Sequence, residues 1–493
     1  MTKKGLAATA VLFALLLPRA AWAQSDAPQW LKDRRYAEGI GIREGDFELH
    51  PGIAGEVGYD SNYFLRSTGS GFANSGGTPN FAPPIPALVF RITPSLYIST
   101  IGPQRREGDV IAQPPSVRFR AGISATYREF VGLSSDPVAK QPQNDISAQR
   151  NIGGNADARL EISPERPFGA VLFANYGRFI LPTSVSSDPN LSLNRDEVGA
   201  GGELVAQPGG GTLDWRFGYA LRDTLFEESA GQPYDNIVNS LYTRGRWKFR
   251  PRTALLYDAS FNFNSYQNET LAASVGGLVS STPVRTRIGL NGLITDRFTL
   301  TALVGWGASF YQTTLVNAQP QYDSVIGQAE LKWFLSASPG LAQSADVGLS
   351  LSSIAIGYTR DFQNSFLGNY YGQDRGYLRF NYFFAGRALV SLEGGVSGIE
   401  YPNMYWGPDA ANPAGGDPRH SAFTDLRVDS ALFGEYRFTD SFALNATVRY
   451  TANFSNAVVP DTDLGPGVAV PAAESYDMSW SRFETFIGLR YFL

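Results

Sequence analysis

The sequence predicts an all-β protein, a transmembrane antiparallel up-and-down β-barrel of about 18 strands. Three observations carry that expectation. The chain opens with an export-type leader, apolar and polar residues then alternate at a period of two along most of its length, and short turns alternate with long loops.

In the leader, Lys3 and Lys4 precede an apolar run from Leu6 to Leu17, and Ala21-Trp22-Ala23 follows as a small-x-small cleavage site. A spanning helix needs roughly 20 apolar residues, so the run reads as a cleaved signal peptide and not as an anchor. Beyond Ala23 no uncharged apolar stretch is long enough to span as a helix, which leaves strands as the spanning element. The expected division is a signal peptide at 1–23, a periplasmic N-terminal arm at 24–45 and an outer-membrane β-barrel at 46–493.

Cysteine is absent, which excludes disulfides, thiolate metal sites and thiol catalysis. Removing Lys3, Lys4 and Arg19 with the leader leaves 38 basic against 46 acidic side chains, a net of −8, and such a chain does not bind nucleic acid by charge.

The alternation is persistent. In Asn151 to Ile162 the apolar positions Ile152, Ala156, Ala158, Leu160 and Ile162 interleave with Asn151, Asn155, Asp157, Arg159 and Glu161. The same pattern sets Leu213, Trp215, Phe217, Tyr219 and Leu221 against Asp214, Arg216 and Arg222. It recurs in Leu426 to Arg437 and in Phe442 to Tyr450. Strands are expected to begin near residues 46, 87, 117, 152, 168, 196, 212, 237, 253, 284, 298, 323, 345, 376, 388, 424, 442 and 479. Between Ala345 and Arg360 the phase changes near Ser352 and Ser353, which predicts a β-bulge.

Short turns are expected at Ser163 to Pro167, Gln207 to Gly211, Arg250 to Arg252, Thr295 to Arg297, Ala385 to Arg387 and Thr439 to Ser441. Long polar stretches such as Arg66 to Pro86 and Tyr401 to Phe423 fall between them. This is the alternation of periplasmic turns and external loops in outer-membrane barrels. Ile101 to Pro115 is an exception, long on the short-turn side.

A soluble β-protein also alternates, so four features decide for the membrane: the leader, basic residues at two-residue spacing, aromatics beside the short turns, and the C-terminal strand. The aromatics Trp247, Phe249, Phe298, Trp333, Phe384, Phe438 and Phe442 fit an interfacial girdle. Glu484 to Leu493 presents Ile487, Leu489, Tyr491 and Leu493 on one face and resembles the terminal insertion signal of outer-membrane barrels. It departs in having Phe486 at a usually polar position and Leu as the last residue.

An outer-membrane enzyme is a third class to weigh. Only His50 and His420 are available as bases, neither can be paired with a serine from sequence, and no metal-ligand spacing or phosphate loop appears. Gly209-Gly210-Gly211 sits at a turn. No catalytic residue, metal or cofactor is expected.

The polar face has another chemistry. Its candidate pore-lining residues are Arg118, Arg120, Arg216, Arg222, Arg244, Arg246, Asp258, Arg285, Arg287, Arg379, Glu393, Arg427, Glu435 and Arg449. Arg159, Arg437 and Arg482 accompany them, with Asp157, Glu161, Glu203, Asp214, Glu330, Asp425, Asp429 and Glu484. Such a face reads either as a charged permeation path or as a ladder of structural cross-strand pairs, and both can hold together. Counting back from the turns sets Phe249 against Thr253, hence Arg244 against Asp258, and Phe384 against Ala388, hence Arg379 against Glu393. Two ion pairs are expected there.

The stretch Gly41 to Pro51, followed by Gly58-Tyr59-Asp60-Ser61-Asn62-Tyr63-Phe64, resembles the start of outer-membrane barrels found with exopolysaccharide genes, grouped as β-barrel porin 2 and including Wzp-type exit barrels. Gly357-Tyr358-Thr359-Arg360, Asn364-Ser365, Gly368-Asn369-Tyr370 and Asp374-Arg375 resemble later strands of that group. The resemblance implies an outer-membrane passage for export of a polysaccharide to the cell surface and carries over no catalytic residue. The alternative is a diffusion porin for small solutes or sugars. Expected partners are outer-membrane lipid, the polysaccharide, a periplasmic polysaccharide-export protein and the barrel assembly machinery.

Overall fold

The computed structural model describes residues 39–67, 84–100, 116–135, 145–180, 194–229, 231–273, 278–311, 321–335, 352–365, 369–384, 387–405, 418–460 and 475–493. The signal peptide and most of the N-terminal arm lie outside these residues, as does Ile101 to Pro115.

Eighteen long strands form one sheet. In chain order they are β1 (Phe47–Asp60), β2 (Ala87–Thr100), β3 (Val117–Gly132), β4 (Asn151–Ile162), β5 (Phe168–Phe179), β6 (Arg195–Ala206), β7 (Leu213–Phe226), β8 (Asn236–Arg250) and β9 (Thr253–Tyr266). There follow β10 (Ser281–Leu293), β11 (Phe298–Tyr311), β12 (Tyr322–Phe334), β13 (Ser353–Ser365), β14 (Asn369–Phe384), β15 (Ala388–Tyr401), β16 (Phe423–Arg437), β17 (Phe442–Ser455) and β18 (Trp480–Phe492). Each pairs antiparallel with its neighbour in sequence, and β18 returns to β1 with Gly52 opposite Phe492 and Asp60 opposite Glu484. Closure leaves no long strand with an open edge.

The alternating residues place one stripe outward on every strand. Ile53, Val57, Ile123, Leu172, Val325, Ile356, Val396 and Ile487 are all exposed on the convex face. Exposed apolar side chains all round a closed barrel are its lipid surface, since no water-facing domain of this size would bear such a belt.

Two girdles bound the belt. At the short-turn end Phe298 stacks on Trp333 at 5.9 Å, and Trp247 meets Phe249 and Phe438 meets Phe442 at 5.9 and 5.6 Å. At the other end outward rings are tied to polar neighbours. Tyr176 donates to Asp196 at 2.7 Å, Tyr219 to Asn239 at 2.6 Å and the Trp306 indole to Asp323 at 2.6 Å, while Tyr127 and Tyr358 donate to Glu129 and Asp374. From Phe168 to Tyr176 along β5 the rise is about 20 Å at a ~40° tilt, near the ~25 Å of an outer-membrane belt. The protein is thus an outer-membrane β-barrel.

The sequence expectations need four adjustments. β13 begins at Ser353 and not near 345, and its pairing with β12 runs without a shift from Ser353 onward. The predicted bulge would fall at or before that point, where residues 336–351 lie outside the description. β14 begins at Asn369, seven residues before the expected 376, so the link after β13 is a short one on the long-loop side. The link from Phe334 to Ser353 is a second long one on the short-turn side. In the β8–β9 hairpin Arg250, not Phe249, faces Thr253, and a register shift before Leu255 then sets Asp258 opposite Arg244 as expected.

Residues Ile42–Glu44 of the expected arm also belong to the sheet. They pair with Phe47–Leu49 along the stretch of β1 that β18 does not reach, extending the seam at the short-turn end.

Candidate channel interior

The concave face is where side chains can cross a strand and still meet. Arg285 on β10 reaches Asp361 on β13 at 3.0 Å, Tyr377 on β14 donates to Glu330 on β12 at 2.8 Å, and Asn445 on β17 donates to Glu56 on β1 at 2.9 Å. On a convex face such side chains diverge.

All fourteen candidate residues stand on this face by strand parity. Glu203 is the centre of one cluster: buried on β6, it accepts from Tyr242 at 2.8 Å, from Arg216 at 3.4 Å and from Arg244. Asp214 holds Arg216 at 3.3 Å and Arg246 at 3.6 Å. Arg118 spans Glu161 and Glu165 at 3.4 and 3.3 Å. Arg120 lies opposite Arg159, and Arg222 opposite Gly199.

The expected Arg244–Asp258 pair does not form, although the two residues are in register. Asp258 instead accepts both Nε and Nη2 of Arg287 at 2.9 Å. Arg287 is the opposite neighbour on the other edge of β9 and can offer its flat fork, whereas Arg244 leans back over β7 to the buried Glu203. The Arg379–Glu393 pair forms as expected at 2.9 Å, and a second acid, Glu330, stands 3.7 Å from Arg379.

Arg375, named in the sequence only for the family resemblance and not among the polar-face residues, extends this cluster to Asp429 at 2.7 Å and Glu393 at 3.3 Å. It and Asp361 fall just outside the apolar-alternating segments that marked β14 and β13. Arg91 was missed too, although outward Phe90 and Ile92 flank it. Its guanidinium lies 3.2 Å from the centre of the inward Phe486 ring.

Glu435, almost wholly buried, binds Arg437 at 2.9 Å and Arg490 of β18 at 2.6 Å. Arg427 donates to Asn453 at 3.1 Å, and Arg449 faces Glu484 across the β17–β18 pair. At the opposite edge of β18, Arg482 grips the buried Asp60 through Nε at 3.1 and 3.2 Å and through Nη2.

Directly after β1 the chain turns into the barrel. Residues 61–67 tuck against β2, β3 and β18, with Tyr63 and Phe64 buried among Val89, Phe130 and Phe486, and Leu65 buried beside them in sequence. Asn62 fixes the turn by donating to the carbonyls of Arg66 at 2.8 Å and Ser481 at 2.9 Å and accepting from the Arg66 amide at 2.9 Å. The family-like run Tyr59 to Asn62 is therefore the root of an inward segment that narrows the mouth on this side.

At the short-turn end His50 is buried, its Nε2 3.7 Å from Glu48. Gly41 lies across the pair with φ +75°, and a Cβ there would stand 2.6 Å from Glu48 Oε1 and 2.8 Å from His50 Cε1. So covered, His50 is a packed wall residue and not an accessible base. His420 lies in a short strand, Pro418–His420, outside the sheet of the barrel. Gly209, Gly210 and Gly211 all have positive φ in the β6–β7 turn. No group of three His, Cys, Asp or Glu side chains suited to a metal occurs among the described residues.

No family model matches the sequence, and no curated protein matches it. Among solved structures, the chain is similar to the FrpB iron transporter of Neisseria meningitidis (F3-3 variant), at 10% identity and a TM-score of 0.42, covering 95% of this chain and 83% of that one. It is likewise similar to the outer membrane protein OpdK of Pseudomonas aeruginosa, at 11% identity and 0.41, covering 90% and 99%. OccK7 (OpdD) of the same organism stands at 10% and 0.41, covering 91% and 99%. The closed 18-strand register and its girdled apolar belt make this chain a bacterial outer-membrane β-barrel protein.

Proposed function

We propose that the protein is a passive channel whose cargo is a polysaccharide leaving the cell. The observation that carries the channel is the state of the inner charges: Arg244, Arg246, Arg379 and Glu393 keep from about a third to just over half of their side chains exposed while paired. Their water is lumen water, because 18 strands enclose more space than inward side chains fill. A wet wall of weak, solvated contacts lets a long hydrophilic chain slide without being held. Half-buried Phe383 and Phe433 on the same face offer rings against which sugars can rest.

The polysaccharide itself rests on the resemblance at Gly41 to Phe64. A periplasmic export protein would deliver the polymer to the short-turn end, and the assembly machinery would read outward Ile487, Leu489 and Tyr491 of β18. A second reading, a diffusion porin for small solutes, is favoured by the inward segment 61–67, which narrows one side of the mouth. Deleting the gene separates them. Loss of surface polysaccharide, with polymer retained inside, is the expected result. Unchanged polysaccharide with slower sugar uptake would replace the export reading with the porin.

A further inference from the structure

We infer that the substrate is anionic, a carboxylate-bearing saccharide, and that it travels along the β3–β8 wall. This rests on the channel reading above and goes beyond it by naming the cargo's charge.

The two walls of the lumen differ in how far their ion-paired cations reach into the water. On β3–β8 the guanidiniums reach into the water and the acids are recessed: Arg244 is 56% exposed against 3% for Glu203, Arg246 47% against 19% for Asp214, and Arg118 43% against 21% for Glu161. On β9–β16 the order is mixed and the cations are less exposed: Arg287 is at 20% against 31% for Asp258 and Arg285 at 15% against 27% for Asp361, while Arg379 and Lys332, each at 34%, stand against 22% for Glu330. A solute in the lumen therefore meets its most exposed paired cations, Arg244, Arg246 and Arg118, on the β3–β8 side.

The register adds an independent sign. Arg120 stands directly opposite Arg159, and Arg216 directly opposite Arg244. Like charges at opposed positions of a sheet destabilise it. Both walls also oppose unlike charges, Arg118 with Glu161 and Asp214 with Arg246 here, Asp258 with Arg287 and Arg379 with Glu393 on the facing wall. Among the described residues, however, β9–β16 sets no two inward like charges directly opposite. Glu203 already screens Arg216 from Arg244 and Glu161 binds Arg159, and an anion lying along this row would add to that screening. Of the strands between, β5 turns the Phe173 ring inward and β6 the Glu203 carboxylate, so one aromatic ring lies between the two basic patches. Arg118, Arg120, Arg159, Arg216 and Arg246 lie near the short-turn ends of their strands, the side at which an exported chain enters, and Arg244 stands at mid-strand.

The test uses the full-length protein in planar bilayers. In a potassium chloride gradient the reversal potential should show anion preference, and oligogalacturonate should block the current at lower concentration than a neutral maltooligosaccharide of equal length. R120Q/R159Q, which leaves the Glu203 cluster intact, should weaken the acidic block about fivefold and move the reversal potential toward cations. R360Q/D374N, which removes an ion pair on the convex face, should leave both unchanged. Heat-modifiable migration of each variant checks that it is folded. Equal block by acidic and neutral oligomers, a cation-selective wild type, or a silent R120Q/R159Q overturns the inference while the channel stands. Absence of any conductance overturns the channel instead.

Discussion

The barrel closes on one buried ion pair, and removing its cation should open the seam. Asp60 of β1 is almost fully buried and stands in register with a second acid, Glu484. Arg482 serves both, contacting Asp60 through Nε and Nη2 and Glu484 at 3.1 Å. Arg482→Gln keeps most of the volume but leaves two facing carboxylates without their shared guanidinium. Orphaning a buried charge costs about 3–5 kcal/mol. Arg482 keeps 18% of its side chain exposed to lumen water, which places the cost near the lower end, about 3 kcal/mol or roughly a hundredfold in the unfolding equilibrium. Urea unfolding in detergent, followed by the fraction of heat-modifiable folded band, measures it. D60N/R482Q should recover part of the loss, since a neutral amide does not need the cation. A single variant as stable as wild type, or a double variant worse than R482Q, would refute the seam reasoning.

Three further outcomes follow from the same structure. Unboiled and boiled samples should migrate differently on a denaturing gel and the protein should fractionate with the outer membrane, because every long strand is paired on both edges; equal mobility in a soluble fraction contradicts this. Deleting Tyr491 to Leu493 should strand the chain in the periplasm, since it removes the outward ring of Tyr491 and the Leu493 amide bond to the Pro51 carbonyl at 3.0 Å; normal outer-membrane levels would argue against it. Asn62→Ala removes the three side-chain bonds that hold the inward turn, so single-channel conductance should rise or become noisy, and an unaltered trace would mean that residues 61–67 do not narrow the path.

The strands were legible where they cross lipid. There one face must be apolar and the other faces a wet lumen, so the chemistry repeats every two residues, and expected and observed starts agree at β2, β3, β5, β9, β11, β15 and β17. They were illegible where the strands rise above the lipid. Residues 369–375 of β14, Asn-Tyr-Tyr-Gly-Gln-Asp-Arg, alternate in space but not in polarity, because water lies on both sides. The missed start of β14 hid Arg375 with it.

Register survived the turn error at Arg250 because hydrophobic phase over the whole strand outweighs the hairpin: a one-residue slip would have turned the outward Leu241, Trp247 and Phe261 into the lumen. Partner choice did not follow from register. Direct opposition predicted Arg379–Glu393, whose neighbours offer nothing better placed, but failed for Arg244, which has a buried acid two strands away. Sequence counts pairs along a flat ladder. A barrel wall is curved, and its concavity brings the tips of side chains on alternate strands to bonding distance, so Glu203 draws in Arg216, Tyr242 and Arg244 from β7 and β8. The competition for the few recessed acids is decided by that curvature, and the guanidiniums it leaves facing the water set the charge of the lumen.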